Sequence, residues 1–262
     1  MSVEEFGSFW NRFNLLKNGQ KRSQGVPLYT LYLNRPVGRM IAAASPSWVT
    51  PNILTYIGSL LTYLAIFFLM FFAENGNTVW LIIGVLLSVG FFFDSADGQL
   101  ARLRNQGSLS GEWLDHVLDG GRIVLLHVAT LWFLVRNQVA EPTLIVAVCS
   151  IFAVAAATVF FAGMLFDQLL PGKKAKNSVE GLDRGTRRRM LLRSTVMLPV
   201  DYGVLCLIYA LVPWTGLFFT VYVILAAAKV TTTSMLLGKW FGALRRADAE
   251  RAMAKNRIEN KS

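Results

Sequence analysis

Four aspartates, Asp94, Asp97, Asp115 and Asp119, sit at the junction of two stretches that are otherwise apolar enough to cross a membrane. Insertion scales put the cost of a carboxylate next to hydrocarbon at about 2.5–3.5 kcal/mol, so a group of four calls for a compensating partner. A pair of divalent metal ions is the natural candidate. Asp94, Asp97 and Ala101 recur at helical spacing and share one face, and Gly111, Asp115 and Asp119 do the same on the next helix. A short turn through Asn105, Gln106 and Gly107 would fold the two helices antiparallel and turn these stripes toward each other. All four carboxylates are then expected to converge. An oxygen-only ligand set suits Mg²⁺ or Mn²⁺, and four negative charges balance two such ions. Zinc is disfavoured, because the stretch lacks Cys and holds only His116 among imidazoles.

The small residues extend the argument from metal to ligand. Gly98, Ala101 and Gly111 leave space beside the acids for a phosphorylated ligand to approach, and Arg102 can neutralise a phosphate. Two metals, an arginine and a cleared wall describe a diphosphate site, since a metal pair can clamp both the attacking and the leaving oxygen of a displacement at phosphorus. Solvated helix ends with packing glycines would explain an isolated Asp-x-x-Asp. They do not explain eight positions held at fixed spacing.

The string Asp94-x2-Asp97-Gly98-x2-Ala101-Arg102-x8-Gly111-x3-Asp115-x3-Asp119 resembles, at every position, the signature of the CDP-alcohol phosphotransferase family of integral membrane enzymes. The resemblance implies that Asp94, Asp97 and Asp115 bind two divalent metals and that Asp119 helps to hold them or serves as the base. It also implies that Gly98, Ala101, Arg102 and Gly111, with Asp97, line the pocket of the CDP moiety. The preceding Thr50, Pro51, Asn52 and Thr55 look like the family's lead-in to its first membrane helix, where Asn52 and Thr55 would touch the nucleotide. A homodimer is a further implication of the family.

The elements that must position these residues are membrane helices. Hydrophobic residues make up 54% of the chain and charged ones 16%, against roughly a quarter charged in soluble proteins. The pattern predicts an all-α polytopic membrane protein with six spans, near Ile53 to Phe72, Val79 to Ala101, Trp113 to Val135, Thr143 to Leu165, Thr195 to Val212 and Trp214 to Leu236. Phe6, Phe9, Trp10, Phe13 and Leu16 recur at helical spacing and predict an N-terminal amphipathic helix on the membrane surface. A single domain is expected over residues 1–262: an interfacial segment to 50, a membrane core over 51–238 and a basic tail over 239–262. No cleavable signal peptide is expected, since the first apolar span begins far into the chain. Cys149 and Cys206 fall inside predicted spans and read as buried apolar residues rather than a disulfide.

Charge orients the bundle. Of 26 Lys and Arg, six precede the first span, Arg102 and Arg104 lie between the second and third, eight lie from Lys173 to Arg193 and seven from Lys239 onward. The opposite turns hold essentially none, with Arg136 at one edge. Both termini and the aspartate site are therefore expected to face the cytoplasm. The net charge of +10 fits contact with anionic membrane lipids and calls for no nucleic acid.

The expected reaction moves a phosphatidyl group from a CDP-linked lipid, CDP-diacylglycerol first among candidates, to the hydroxyl of a polar alcohol, with release of CMP. Asp119, Asp115 and Arg102 would carry it. The basic run from Lys173 to Arg193 reads either as a positive-inside loop or as a pocket for a phosphorylated acceptor such as inositol phosphate or glycerol phosphate. Arg187, Arg188, Arg193 and the intramembrane Lys229 are its candidate contacts. Asp201 is a second intramembrane charge, and His127 reads as a hydrogen-bonded helix contact. Two alternatives stand: a soluble CDP-linked alcohol donor with a lipid acceptor, and a divalent-cation transporter. The transporter would spread polar groups along a whole path, whereas here they gather on one side.

Overall fold

Thr50 and Pro51 start the membrane bundle. Thr50 Oγ1 accepts from the Ile53 backbone N–H at 3.3 Å, and Pro51 occupies the first turn, where a missing N–H costs nothing. The computed structural model describes residues 8–18, 26–74, 78–170, 194–195 and 197–259, and all regular elements among them are helical. They are α1 (Phe9–Asn18), α2 (Arg35–Ala44), α3 (Pro51–Phe71), α4 (Val79–Arg104), α5 (Leu109–Arg136), α6 (Pro142–Leu169), α7 (Tyr202–Ile208) and α8 (Thr215–Glu259). A π-helical turn, Thr30–Asn34, leads into α2.

Among the described residues, α3, α4, α5, α6 and α8 are long and apolar enough to cross a membrane. The shortest has 21 residues, about 32 Å at 1.5 Å per residue, enough for a hydrocarbon core. The chain is an all-α, polytopic integral membrane protein. Large apolar side chains such as Leu60, Phe67, Val128, Trp132, Ile151 and Ile224 face outward, as a lipid solvent permits.

One expected span differs. The stretch Thr195 to Val212 holds a 3₁₀ turn, Leu198–Val200, then extended Asp201, the short helix α7 and a second 3₁₀ turn, Tyr209–Leu211. Asp201 is the reason for the break. Its carboxylate accepts from Gly203 N–H at 2.9 Å, capping α7, and from the Thr30 N–H and hydroxyl at 3.0 Å each. An aspartate tied to the N-terminal segment cannot continue the helix through itself, and its burial is satisfied by these three donors.

The bundle is drawn tight where α3 crosses α4. A Cβ on Gly58 would lie 2.9 Å from the Gly90 carbonyl, and one on Gly90 would run into the Thr62 hydroxyl and the Gly58 carbonyl. Leu69, Leu87, Leu126, Phe133 and Phe218 fill the core below. Buried polar groups there pair across helices: His127 Nδ1 lies 2.5 Å from the Tyr222 hydroxyl, and Thr130 Oγ1 2.6 Å from that of Tyr209. Cys149 and Cys206 are buried free thiols. Arg136, the basic residue at the opposite edge, donates to the Phe71 and Ala73 carbonyls at 3.1 and 2.7 Å and so caps the end of α3.

Phe6 lies outside the described residues, and the expected N-terminal helix forms over Phe9–Asn18 as α1. Its inner edge packs Leu16, Phe13 and Phe9 against Ala42, Ala43 and Leu54, while Trp10 and Leu15 stay exposed. Arg39 of α2 lies over the Phe13 ring at 5.2 Å.

Candidate active site

The acid cluster is built by one tight turn. α4 ends at Asn105, whose φ of 53° is left-handed, and Gln106 N–H returns to the Ala101 carbonyl at 2.9 Å. Ser108 then caps α5 by accepting from Gly111 N–H at 3.1 Å. Helix, turn and helix are thus closed by local chemistry, and the two acidic stripes are brought together.

Asp94, Asp115 and Asp119 each offer an oxygen within 4.8 Å of the others. Asp97, expected to converge with them, is held slightly apart. Its carboxylate accepts the Thr55 hydroxyl at 2.6 Å and the backbone N–H of Gly98, while still lining a cavity with Asp94 and Asp115. Three acids therefore converge and the fourth adjoins them. The cation already present is Arg122: its Nη2 lies 3.0 Å from Asp94 and 2.8 Å from Asp119, and its guanidinium stacks on the Tyr202 ring at 5.0 Å. Arg122 was given no role by the sequence analysis. The available signal was an arginine three residues after an aspartate in an apolar helix. One guanidinium among three close carboxylates leaves excess negative charge on an oxygen-only donor set. Such a set fits a hard divalent cation.

Three cavities meet here. The first, about 520 Å³, is lined by Asn52, Thr55, Asp97, Gly98, Ala101, Arg102 and Gly111, the full set expected around a nucleotide, and also by Gln106, Glu112 and His116, which were not anticipated. A Cβ on Gly111 would fall 2.9 Å from Asn52 Oδ1 and 3.0 Å from Ser108 Oγ, so a larger residue here would displace these side chains. Arg104 fixes the opposite approach. Its guanidinium donates to the backbone carbonyls of Ser45, Pro46, Ser47 and Val49 at 2.9, 2.9, 3.2 and 2.6 Å, latching the loop that delivers Thr50, Asn52 and Thr55.

A second cavity, about 210 Å³, is polar and holds Arg35 and Arg102 beside Asp94, Asp97 and Asp115. The third, about 230 Å³, lies deeper among the spans and is mostly apolar. Asp119 and Arg122 form one end, Phe152, Phe160 and Leu126 the walls, and Lys229 of α8 reaches it. Of the residues expected around an acceptor, Lys229 is thus brought to the cluster, while Arg187, Arg188 and Arg193 lie outside the described residues.

Membrane helices that carry a carboxylate cluster beside a cavity of about 520 Å³ define a class of intramembrane acidic site. A family model for CDP-alcohol phosphatidyltransferase matches residues 48–241, most of the chain, and the chain belongs to that family. Archaetidylinositol phosphate synthase of Pyrococcus horikoshii is 36% identical over 115 residues, 43% of this chain and 57% of its own length. Ethanolaminephosphotransferase 1 of Homo sapiens is 30% identical over 101 residues, 34% of this chain and 25% of its own length. Choline/ethanolaminephosphotransferase 1 of Saccharomyces cerevisiae is 29% identical over 109 residues, 40% of this chain and 28% of its own length. The chain thus spans between a quarter and somewhat over half of these relatives.

Proposed function

We propose that the protein transfers a phosphatidyl group from a CDP-linked lipid, CDP-diacylglycerol, to the hydroxyl of a polar alcohol, releasing CMP in phospholipid synthesis. The observation that carries this reading is the cavity in which Asn52, Thr55, Asp97, Gly98, Ala101, Arg102 and Gly111 stand together at the edge of the acid cluster.

Asp94, Asp97, Asp115 and Asp119 would hold two divalent cations, Mg²⁺ or Mn²⁺, which when bound supply Lewis-acid stabilisation of charge on the diphosphate. The chain's own residues do the rest. Gly98, Ala101 and Gly111 let the nucleotide lie against the helices, Asn52 and Thr55 border it, and Arg102 takes phosphate charge. Asp119, at the end of the apolar cavity, orients the acceptor hydroxyl and receives its proton. The hydroxyl oxygen forms a bond to the lipid-bearing phosphorus as the bridging oxygen departs with CMP. Arg122 keeps Asp94 and Asp119 in place throughout.

The acceptor is an alcohol with a polar headgroup, phosphorylated in the manner of inositol phosphate or glycerol phosphate. Lys229 borders the acceptor side and Arg187, Arg188 and Arg193 supply further positive charge. A second reading, with a soluble CDP-linked alcohol as donor and a lipid as acceptor, is favoured by the apolar walls of the cavity beside Asp119 and by the names of the Homo sapiens and Saccharomyces cerevisiae relatives. The lysine-rich and arginine-rich segments put the site and both termini on the cytoplasmic side, and the working form is a homodimer.

The deciding experiment is CMP release by purified protein with Mg²⁺ or Mn²⁺ and CDP-diacylglycerol against a panel of acceptors, with Asp94→Asn as blank. Release with one acceptor, lost in the variant, is the expected result. Release only with CDP-ethanolamine or a similar soluble donor and diacylglycerol would establish the second reading. Absence of CDP binding would remove both.

A further inference from the structure

The family match begins at residue 48, yet Tyr29 and Thr30, which precede it, are bound to a segment near the other end of the chain. The Thr30 backbone N–H and hydroxyl each donate to the Asp201 carboxylate at 3.0 Å. The Tyr29 ring lies so close to Gly203 that any Cβ there would overlap it, and it stacks on Phe91 of α4 with 6.4 Å between centroids. Between Asp201 and Gly203 stands Tyr202, the first residue of α7. Both of its neighbours are thus clamped by the N-terminal segment, and the Phe91 ring meets its own ring edge-on at 5.0 Å.

The ring held in this way carries Arg122. The guanidinium carbon lies 5.0 Å from the centroid of Tyr202, while Nη2 reaches Asp94 at 3.0 Å and Asp119 at 2.8 Å. Away from water, a guanidinium over an aromatic face is held at the strong end of the cation–π range. A planar cation on a long side chain takes its direction from the surface it lies on as well as from the anions it meets. Asp94 stands on α4 and Asp119 on α5, so the direction of Arg122 decides how two helices present their carboxylates. Phe91 adds a second link, because it precedes Asp94 by one turn of α4. The Tyr202 ring therefore touches both the helix that bears Asp94 and the arginine that binds it. It does so without contributing charge, which separates the aim of Arg122 from the charge balance of the cluster.

We propose that Tyr202 is a positioning residue of the acid cluster, acting through Arg122, and that Tyr29 and Thr30 set its place from outside the family domain. The proposal rests on the reading of that cluster as the metal site of the transferase.

The test uses the full-length protein in detergent as wild type, Tyr202→Leu, Tyr202→Phe and Thr30→Val, each also combined with Arg122→Gln. Mn²⁺ binding is measured by calorimetry and the melting temperature in EDTA. None of the three single changes alters the charge. Tyr202→Leu should weaken Mn²⁺ about threefold or more, and Tyr202→Phe, which keeps the ring, should bind as wild type does. Thr30→Val should weaken Mn²⁺ by a smaller factor, and it keeps the proposal testable if Tyr202→Leu fails to fold. Both losses should vanish in the Arg122→Gln background, since they act through that side chain. Unchanged affinity in either Tyr202→Leu or Thr30→Val would overturn the proposal. So would a loss in Tyr202→Phe equal to that in Tyr202→Leu, or losses that persist undiminished without Arg122. A wild type that binds no Mn²⁺ would remove the metal reading, and the melting temperatures then decide the relay. The effect of Thr30→Val should still depend on Arg122, and strictly additive effects would overturn the relay as well.

Discussion

Arg122 on α5 donates to Asp94 on α4 at 3.0 Å, so one carboxylate of the converging three has a permanent counter-charge from the facing helix. The same guanidinium pairs with Asp119 one turn earlier on its own helix. The cluster is therefore preassembled, and its demand for additional positive charge is partial.

Removing that counter-charge should expose the demand. Truncating one partner of a buried ion pair costs about 3–5 kcal/mol, so Arg122→Ala should melt well below wild type in EDTA. Added Mg²⁺ should then raise the melting temperature of the variant more than that of the wild type. Thermal unfolding in detergent with and without Mg²⁺ checks this, and equal Mg²⁺ responses would mean that Arg122 is not a counter-charge.

Thr55 is expected to act through Asp97. Thr55→Val keeps the shape but removes the 2.6 Å bond to the carboxylate, a loss of about 1.5–3 kcal/mol for a hydrogen bond to a charged group. Thr55→Ser should retain most of the stability and the CMP affinity. Paired measurements of melting temperature and CMP binding across both variants test the assignment; a valine variant that behaves like wild type refutes it.

Two glycines should fail in different ways. At Gly111 the obstacles to a methyl group are the amide end of Asn52 and the Ser108 hydroxyl, both side-chain ends that can shift, so Gly111→Ala should fold and bind the nucleotide more weakly. At Gly90 the obstacle includes the backbone of α3, so Gly90→Ala should destabilise the bundle by about 1–3 kcal/mol. Folded yield and KM for the CDP-linked donor separate the two outcomes.

Topology can be read with thiol chemistry. Both native cysteines are buried, so a single cysteine introduced at Gly107, beside the nucleotide cavity, should be the reactive one in intact cells. The positive-inside distribution predicts protection of that thiol from an impermeant maleimide added outside and labelling after permeabilisation. Labelling without permeabilisation would invert the assigned orientation.

Much of the site was legible because its parts are local. Asp94 to Asp119 lie on two adjacent helices with a tight turn between them, so spacing alone places three acids together, and the small residues beside them line the adjoining cavity. Long-range contacts were not legible. Thr55 holds Asp97 out of the converging set from another helix, and Arg35 joins from a segment outside the motif. Hydropathy saw an apolar stretch from Thr195 to Val212 but not the three donors that fix Asp201 and interrupt it. Lys229, a candidate acceptor contact by its charge within a span, does border the cavity beside Asp119, but the sequence did not show which residues would share that cavity with it.

The Arg104 latch grips only main-chain oxygens. Its grip is indifferent to which side chains the loop carries, provided the chain follows the same path. The cavity wall therefore depends on a contact whose receiving half can vary through substitution at the exposed Ser47, while the donating half at Arg104 has no such freedom. Tolerance on one side of a contact and intolerance on the other is the mutational signature this latch should leave, and it sits at the very boundary where the loop hands over to the membrane.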